Sequence, residues 1–232
     1  MKQFYLILAG FFLTLSLYSQ SDSIYFSGAI KINFKKYKRE SELAYRKGDF
    51  ERGKFLFDSL VDHRLAGTIF DDFTFKQSNG KKLKLSKIHK PIILITYASW
   101  CVQGKGEAQA LNKLAQKYSK EVKFVVLFWD RKANMEKIAH KYNKHITVCY
   151  AHEYYKNDAP IVAALKHTLG LPTSYYLDEN LKVVDIRRCG VKLCPNKNNE
   201  QKSYTLNYNA FLDGLSILLI NKDLKKEMLA TK

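Results

Sequence analysis

The chain has 232 residues, enough for one ordinary domain with an extension. Its 39 Lys and Arg against 22 Asp and Glu give a formal charge of +17, which favours acidic partners or anionic surfaces. The basic residues are scattered and mostly Lys, as in Lys35-Lys36-Tyr37-Lys38-Arg39, with no nucleic-acid-binding motif around them. They read as a solvated lysine-rich surface of a basic protein, and no nucleic-acid partner is expected.

Met1-Lys2-Gln3 is followed by an apolar run, Phe4 to Leu17, and then by Tyr18-Ser19-Gln20-Ser21. One cation, a short apolar stretch and small or polar residues make a secretory signal peptide. The run is short for a spanning helix, which needs ~20 apolar residues. No cysteine follows it to carry a lipid anchor. Residues 1–20 are therefore set aside as a signal peptide, the alternative being an uncleaved anchor. The mature chain is expected to be exported, periplasmic or extracellular, with membrane contact only through this segment before cleavage. Cysteines in such an oxidising compartment tend to be paired or reactive. Cys101, Cys149, Cys189 and Cys194 all lie beyond the signal.

Residues 21–64 read as a helical extension. Ala44-Tyr45-Arg46-Lys47-Gly48-Asp49-Phe50 is the end of one predicted helix and the turn into another. Phe50, Phe57, Leu60 and Val61 then recur at helical spacing. The pair faintly resembles one tetratricopeptide unit. A lone unit cannot bury its apolar face, so it is expected to pack on the main domain.

From residue 65 the pattern becomes strands alternating with helices. Phe70, Phe73 and Phe75 precede the hairpin-type turn Ser78-Asn79-Gly80, with Leu83 and Leu85 after it. Ile92 to Ala98 is nearly all apolar, as suits a strand covered on both faces. Leu111, Leu114, Ala115 and Tyr118 mark one helix face. Val122 to Phe128 is a second buried strand, Ala133 to Tyr142 a helix, Ile146 to Ala151 a short strand and Ile161 to Leu169 a helix. Ser174 to Leu177 and Lys182 to Ile186 flank the turn Asp178-Glu179-Asn180, and Phe211 to Ile220 is a final helix. A charged tail, residues 221–232, is expected to fray. The fold class is α/β, a mixed central sheet flanked by helices over residues 65–220.

Residues 65–190 resemble the extracytoplasmic thioredoxin-like proteins of the TlpA and AhpC/TSA type. Phe70-Asp71-Asp72-Phe73-Thr74-Phe75 resembles the family's opening strand, and Asn79-Gly80-Lys81 with Leu85-Ser86 its hairpin. Lys90-Pro91-Ile92-Ile93-Leu94 and Ala98-Ser99-Trp100-Cys101 resemble the central strand and the Trp-Cys pair that ends it. Glu107 with Ala110-Leu111-Asn112-Lys113-Leu114 continues the active-site helix, and Leu171-Pro172-Thr173 with Tyr176-Leu177-Asp178 matches the Pro-Thr strand. The resemblance implies a thioredoxin-like fold with Cys101 as nucleophile, Trp100 beside it, and Pro172 in cis next to the thiol, leaving backbone groups open to an extended substrate. It departs at three places. The resolving-cysteine position is Gly104, the turn residue that is often Pro is Gln103, and the strand acid of thioredoxins is replaced by Ile95.

A helix is expected to begin near Gly104, with Gly104 and Gly106 in its first turn. Its free N–H groups and dipole would favour a thiolate at Cys101, and Lys105 would add positive potential. A lone thiolate can attack a disulfide, but an outside thiol or another cysteine of the chain must then resolve the mixed disulfide. Cys189-Gly190-Val191-Lys192-Leu193-Cys194 is close enough to close as a local disulfide in an oxidising compartment. The alternatives are that one of the two resolves Cys101, or that they hold zinc, although no His lies near them in sequence. Cys149, inside an apolar strand, reads as inert core. His167, just before Pro172, could approach the site, but packing or surface placement is the plainer expectation. No cofactor and no metal site is expected.

Two functions follow. One is a secreted monothiol thiol–disulfide oxidoreductase or isomerase, exchanging with protein thiols or disulfides or an external thiol reductant. The other is a redox-inactive binding or scaffold protein that keeps the fold and a basic surface.

Overall fold

The computed structural model describes residues 24–101, 106–188 and 200–230. The proposed signal peptide lies outside them. In chain order the elements are α1 (Phe26–Arg46), α2 (Phe50–Leu60), β1 (Thr74–Gln77), β2 (Lys82–Lys84), β3 (Ile92–Tyr97), α3 (Glu107–Tyr118), β4 (Lys123–Phe128), α4 (Lys132–Ala139), β5 (Ile146–Tyr150), a short α5 (Ala159–Ile161), β6 (Thr173–Leu177), β7 (Val183–Arg188) and α6 (Glu200–Ala230). A wide helical turn, Val61–Leu65, follows α2, and another, Val162–Lys166, follows α5.

The seven strands form one sheet in the order β2-β1-β5-β4-β3-β6-β7. β3, β4 and β5 run parallel, while β6, β7, β1 and β2 pair antiparallel. Every residue of β3 is buried. The reason is its alternation between two covered faces. Ile92 and Leu94 face one cluster with Val125, Leu127, Tyr175 and Leu177. Ile93, Ile95 and Tyr97 face the other with Phe124, Val126, Phe128 and Tyr176. Helices α3, α4 and α6 cover the second face through Leu111, Leu114, Met135, Phe211 and Leu215. The helical extension covers the first, so the architecture is three-layered and thioredoxin-like.

The extension shares the core. Phe26 is fully buried, with its ring 5.1 Å from Phe70 and 5.7 Å from Tyr175 of β6. Ala29, Ile30, Tyr37, Phe57, Leu60 and Val61 join the same cluster. Asp71 caps α1 from outside it, accepting from Ser27 N at 2.9 Å and from Ser27 Oγ at 2.6 Å. Phe26 N also donates to Ile69 O at 2.8 Å. Asp49 caps α2, accepting from Arg52 N at 2.9 Å.

Three boundaries differ from the sequence reading. Helix α1 begins at Phe26, far ahead of the Ala44–Phe50 turn that marked the extension, and its later buried positions, Tyr37, Ser41 and Ala44, carry no large aliphatic to signal it. Helix α6 begins at Glu200, eleven residues before the predicted Phe211, because buried Ser203 and Asn207 occupy the core positions of its first turns. The expected frayed tail is also corrected: α6 continues through Asn221 to Ala230, and its 31 residues make it the longest of the described helices. Lys and Glu are good helix formers, so a charged segment extends a helix already nucleated by packing.

Removing a fully buried Phe costs roughly 3–5 kcal/mol. Phe26→Ala should therefore lower the stability of the whole protein by that amount in urea unfolding. Trp129, buried in the same cluster, is the reporter. An unchanged midpoint for the Trp129 signal would show that the extension unfolds independently.

Candidate functional site

Strand β3 ends at Tyr97, and the chain turns at once: Cys101 N donates to Ala98 O at 2.9 Å. Two anchors flank this turn. Asp130, just beyond β4 and only 5% exposed, accepts from Ser99 N at 2.6 Å and from Ser99 Oγ. On the far side, buried Tyr97 donates its hydroxyl to buried Glu107 at 2.5 Å, tying the end of β3 to the first residue of α3. Both anchors are hydrogen bonds to a carboxylate, stronger than neutral ones.

Gly106 precedes α3 in the left-handed region, with φ 79°. A Cβ there would lie 2.8 Å from Tyr204 Cα on α6. Both facts require glycine. This corrects the expectation that Gly106 sits in the first helical turn: α3 starts at Glu107. The field of a helix terminus falls off within its first turn. Along the chain five residues lie between Cys101 and the first helical residue, Glu107. Gln103, Gly104 and Lys105 lie outside the described residues, as do Cys189 and Cys194 with their proposed disulfide.

Cys101 is half-buried and packs against the first core cluster, as Leu171 does. Trp100 is 73% exposed. The Leu171–Pro172 peptide bond is cis. β6 begins directly after it, with Thr173 paired to Thr96 of β3. That register sets Pro172 beside the end of β3, the strand that leads to Cys101. Thr173 Oγ1 donates to Gly170 O at 2.9 Å and Thr96 Oγ1 to Thr173 O at 3.3 Å. Cys101, Trp100 and Pro172 thus share one end of the sheet. Cys149 does not. It is fully buried in β5, and burial pushes its thiol up to about 12, with Lys123 pulling weakly the other way.

Beside Trp100 lies a groove of about 500 Å³. One wall is α1, through Phe34, Tyr37 and Tyr45, and the other is the chain before Pro172, through His167, Gly170 and Leu171. His167 is exposed and lies 3.2 Å from Glu153, so it is a surface residue at the groove. Arg188, the last residue of β7, ties the walls together. Its guanidinium donates to Tyr45 Oη at 2.8 Å, to Tyr37 Oη and to Leu169 O at 3.3 Å, and stacks over Phe57 at 4.5 Å. Burial holds the Tyr37 hydroxyl above its ordinary value, against the opposing pull of Arg188.

Sequence reasoning missed Asp130 and Arg188. Asp130 had one usable signal: it follows a parallel strand, and sites in α/β sheets gather at the carboxyl ends of such strands. Arg188 had none, since its partners stand far away in the chain.

The model of the AhpC/TSA family matches residues 66–186, just over half of the chain. The chain belongs to the AhpC/TSA family. No curated protein matches it. Among solved structures it is similar to the thioredoxin domain of a thiol-disulfide oxidoreductase from Bacteroides vulgatus, at 14% identity and TM-score 0.48, with 64% of this chain and 96% of that one covered. It is also similar to a thiol-disulfide oxidoreductase from Bacteroides fragilis NCTC 9343, at 20% identity and TM-score 0.42, covering 51% and 88% of the two chains. A secreted disulfide oxidoreductase of Mycobacterium tuberculosis aligns at 17% identity and TM-score 0.41, covering 58% and 96%. Helices α1 and α2 lie outside the family match.

The buried thiol of Cys149 gives a pH test. Its folded value lies above the unfolded one, ~8.5. The stability from the neutral thiol is therefore whole below that value and lost as pH rises toward the folded value of about 12. Relative to Cys149→Ala, the parent chain should lose up to ~1.4 kcal/mol per pH unit above pH ~8.5. Parallel urea-stability curves for the two proteins would refute this.

Proposed function

We propose that this chain is an exported thiol–disulfide exchange protein with Cys101 as its single active-site thiol. The observation that carries the reading is the contrast between the two described free thiols. Cys101 is reachable at the end of β3, beside Trp100 and the cis-Pro172 strand, whereas Cys149 is sealed and held protonated. A thiolate attacks one sulfur of a disulfide, forms a mixed disulfide and expels the other sulfur as a thiolate. Trp100 gives a flat apolar surface for the segment carrying that disulfide. The Leu171–Pro172 backbone, ahead of the first paired residue of β6, would hydrogen-bond to it, as the family resemblance implies. Substrates are then protein thiols or disulfides. With Gly104 where the family has a second cysteine, release requires an external thiol.

Export is part of the proposal and rests on residues 1–20. No helix among the described residues is long and apolar enough to cross a membrane. In the exported chain Cys189 and Cys194 would close their local disulfide and leave Cys101 as the free site thiol.

One observation favours the second reading, a redox-inactive binding scaffold. Helix α3 begins at Glu107, three residues beyond the expected start at Gly104, so its first N–H groups are not those the sequence reading set beside Cys101. Three variants separate the readings. Cys101→Ser should abolish reduction of a model disulfide by added thiol, and Cys149→Ser should retain it. Gly104→Cys should form an internal disulfide with Cys101 and gain dithiol reductase activity. A Cys101 that alkylates no faster than an unstructured thiol, together with a silent Gly104→Cys, would leave the scaffold reading standing.

A further inference from the structure

We propose that the groove beside Trp100 seats a small thiol bearing a carboxylate, and that this thiol resolves the mixed disulfide at Cys101. The inference rests on the exchange reading above and adds the identity of the outside thiol by chemical class.

The groove adjoins Cys101 through Trp100, the preceding residue. Its volume of about 500 Å³ suits a molecule the size of a tripeptide. Its lining carries Lys38, Lys166 and Arg188 against one carboxylate, Glu42. Lys166 is committed, 2.5 Å from Glu153. Lys38 stands 3.9 Å from Glu42, with both side chains about half exposed, a pairing of little strength. Arg188 has no carboxylate partner among the described residues. Two tyrosine hydroxyls and one carbonyl occupy three of its five N–H groups and leave its charge uncompensated. An arginine fixed on a tyrosine pair and a phenyl face is preorganised for a carboxylate, because little side-chain freedom remains to be lost. Phe34 and Trp100 give an apolar surface for the rest of the molecule.

The chemistry balances with two such thiols. The Cys101 thiolate attacks a substrate disulfide R–S–S–R′; the Cys101 Sγ–S bond forms, the R–S–S–R′ bond breaks, and R′S⁻ leaves and takes a proton. A small thiolate R″S⁻, its carboxylate on Arg188, attacks Cys101 Sγ; RS⁻ leaves and is protonated, and Cys101 now carries R″S. A second small thiolate attacks the R″ sulfur, forms R″–S–S–R″ and frees Cys101 as its thiolate. One substrate disulfide is reduced to two thiols, and two small thiols are oxidised to one disulfide.

Binding and chemistry are tested apart, on the full mature chain. In the Cys101→Ser background, S-methylglutathione has two carboxylates and no thiol, and it should quench tryptophan fluorescence saturably. Trp100 is exposed at the groove, whereas Trp129 is buried. Arg188→Gln should weaken this binding roughly tenfold, the scale of one charge-assisted contact. Lys38→Glu lies at an exposed position where packing is not at stake, and should weaken it about threefold, as a nearby charge reversal does. In the parent chain, Cys101 preloaded as its mixed disulfide with mercaptoethanol should be freed faster by glutathione than by mercaptoethanol at equal thiolate concentration. That advantage should vanish in Arg188→Gln. Absence of saturable binding, or binding indifferent to both substitutions, overturns the inference even where Cys101 exchanges with neutral thiols. Binding that depends on Arg188 beside a Cys101 inert to every disulfide overturns the exchange reading instead.

Discussion

The whole site depends on one packing event, the burial of Phe26 between Phe70 and Tyr175. Without it α1 would be an appendage. With it, the helix is fixed to β6, the same strand that Pro172 begins. Burying such a side chain contributes roughly 1.5–3 kcal/mol, and the Asp71 cap adds about 1 more. The orientation of α1 follows, and with it the wall of the groove beside Trp100. Arg188 then works as a crosspiece at the other end. It reaches Tyr37 and Tyr45 on α1, Phe57 on α2 and Leu169 ahead of Pro172. The extension is thus built into the site's own wall.

The thiol turn is held by a different logic. It leaves the sheet where β3 ends, so both of its flanks need fixing. Asp130 holds Ser99 from the neighbouring parallel strand, and Glu107 holds Tyr97 from α3. A buried carboxylate is tolerable when strong donors satisfy it. Both carboxylates here therefore act first as anchors. Gly106 completes the arrangement by letting α6 approach as closely as its Tyr204 backbone. Gly214 does the same further along α6, where a Cβ would strike the Tyr176 ring at 2.3 Å.

Most of the sheet was legible because its strands obey one rule. Ile92–Tyr97, save Thr96, and Phe124–Phe128 are apolar on both faces, and only a strand between two helical layers buries both. The β1–β2 hairpin was legible from Asn79-Gly80, whose glycine takes φ 78°. Helix ends were less legible wherever a polar residue fills a core position. Ser203 and Asn207 hid the first turns of α6, since Asn207 satisfies itself by donating to Ser203 O at 2.8 Å. The start of α3 was misplaced for a different reason. Local glycine counting cannot show that Gly106 takes a left-handed conformation ahead of the helix, against Tyr204 nearly a hundred residues away. The turn at the end of β3 that carries Cys101 was legible from Trp100-Cys101. The residues that shape its surroundings, Asp130, Arg188 and Tyr37, were not, because each acts across a tertiary contact.

A site with one thiol differs in kind from one with two. A dithiol carries its own resolving group, so its substrate surface has only the disulfide to recognise. A monothiol must admit a second reactant to the same sulfur after the first has attached. That demands space beside the nucleophile which the substrate segment does not fill. The Leu171–Pro172 backbone, just ahead of β6, would meet an extended chain on the proposed reading. The groove bounded by α1 lies on the side of Trp100 and brings an uncompensated cation with it. In this chain Gly104 stands where the resemblance puts a second cysteine, and α1, outside the family's own segment, walls a groove beside Trp100. On the proposed single-thiol reading the two are physically complementary: the first leaves no internal resolving group at that position, and the second would make room and supply charge for an external one.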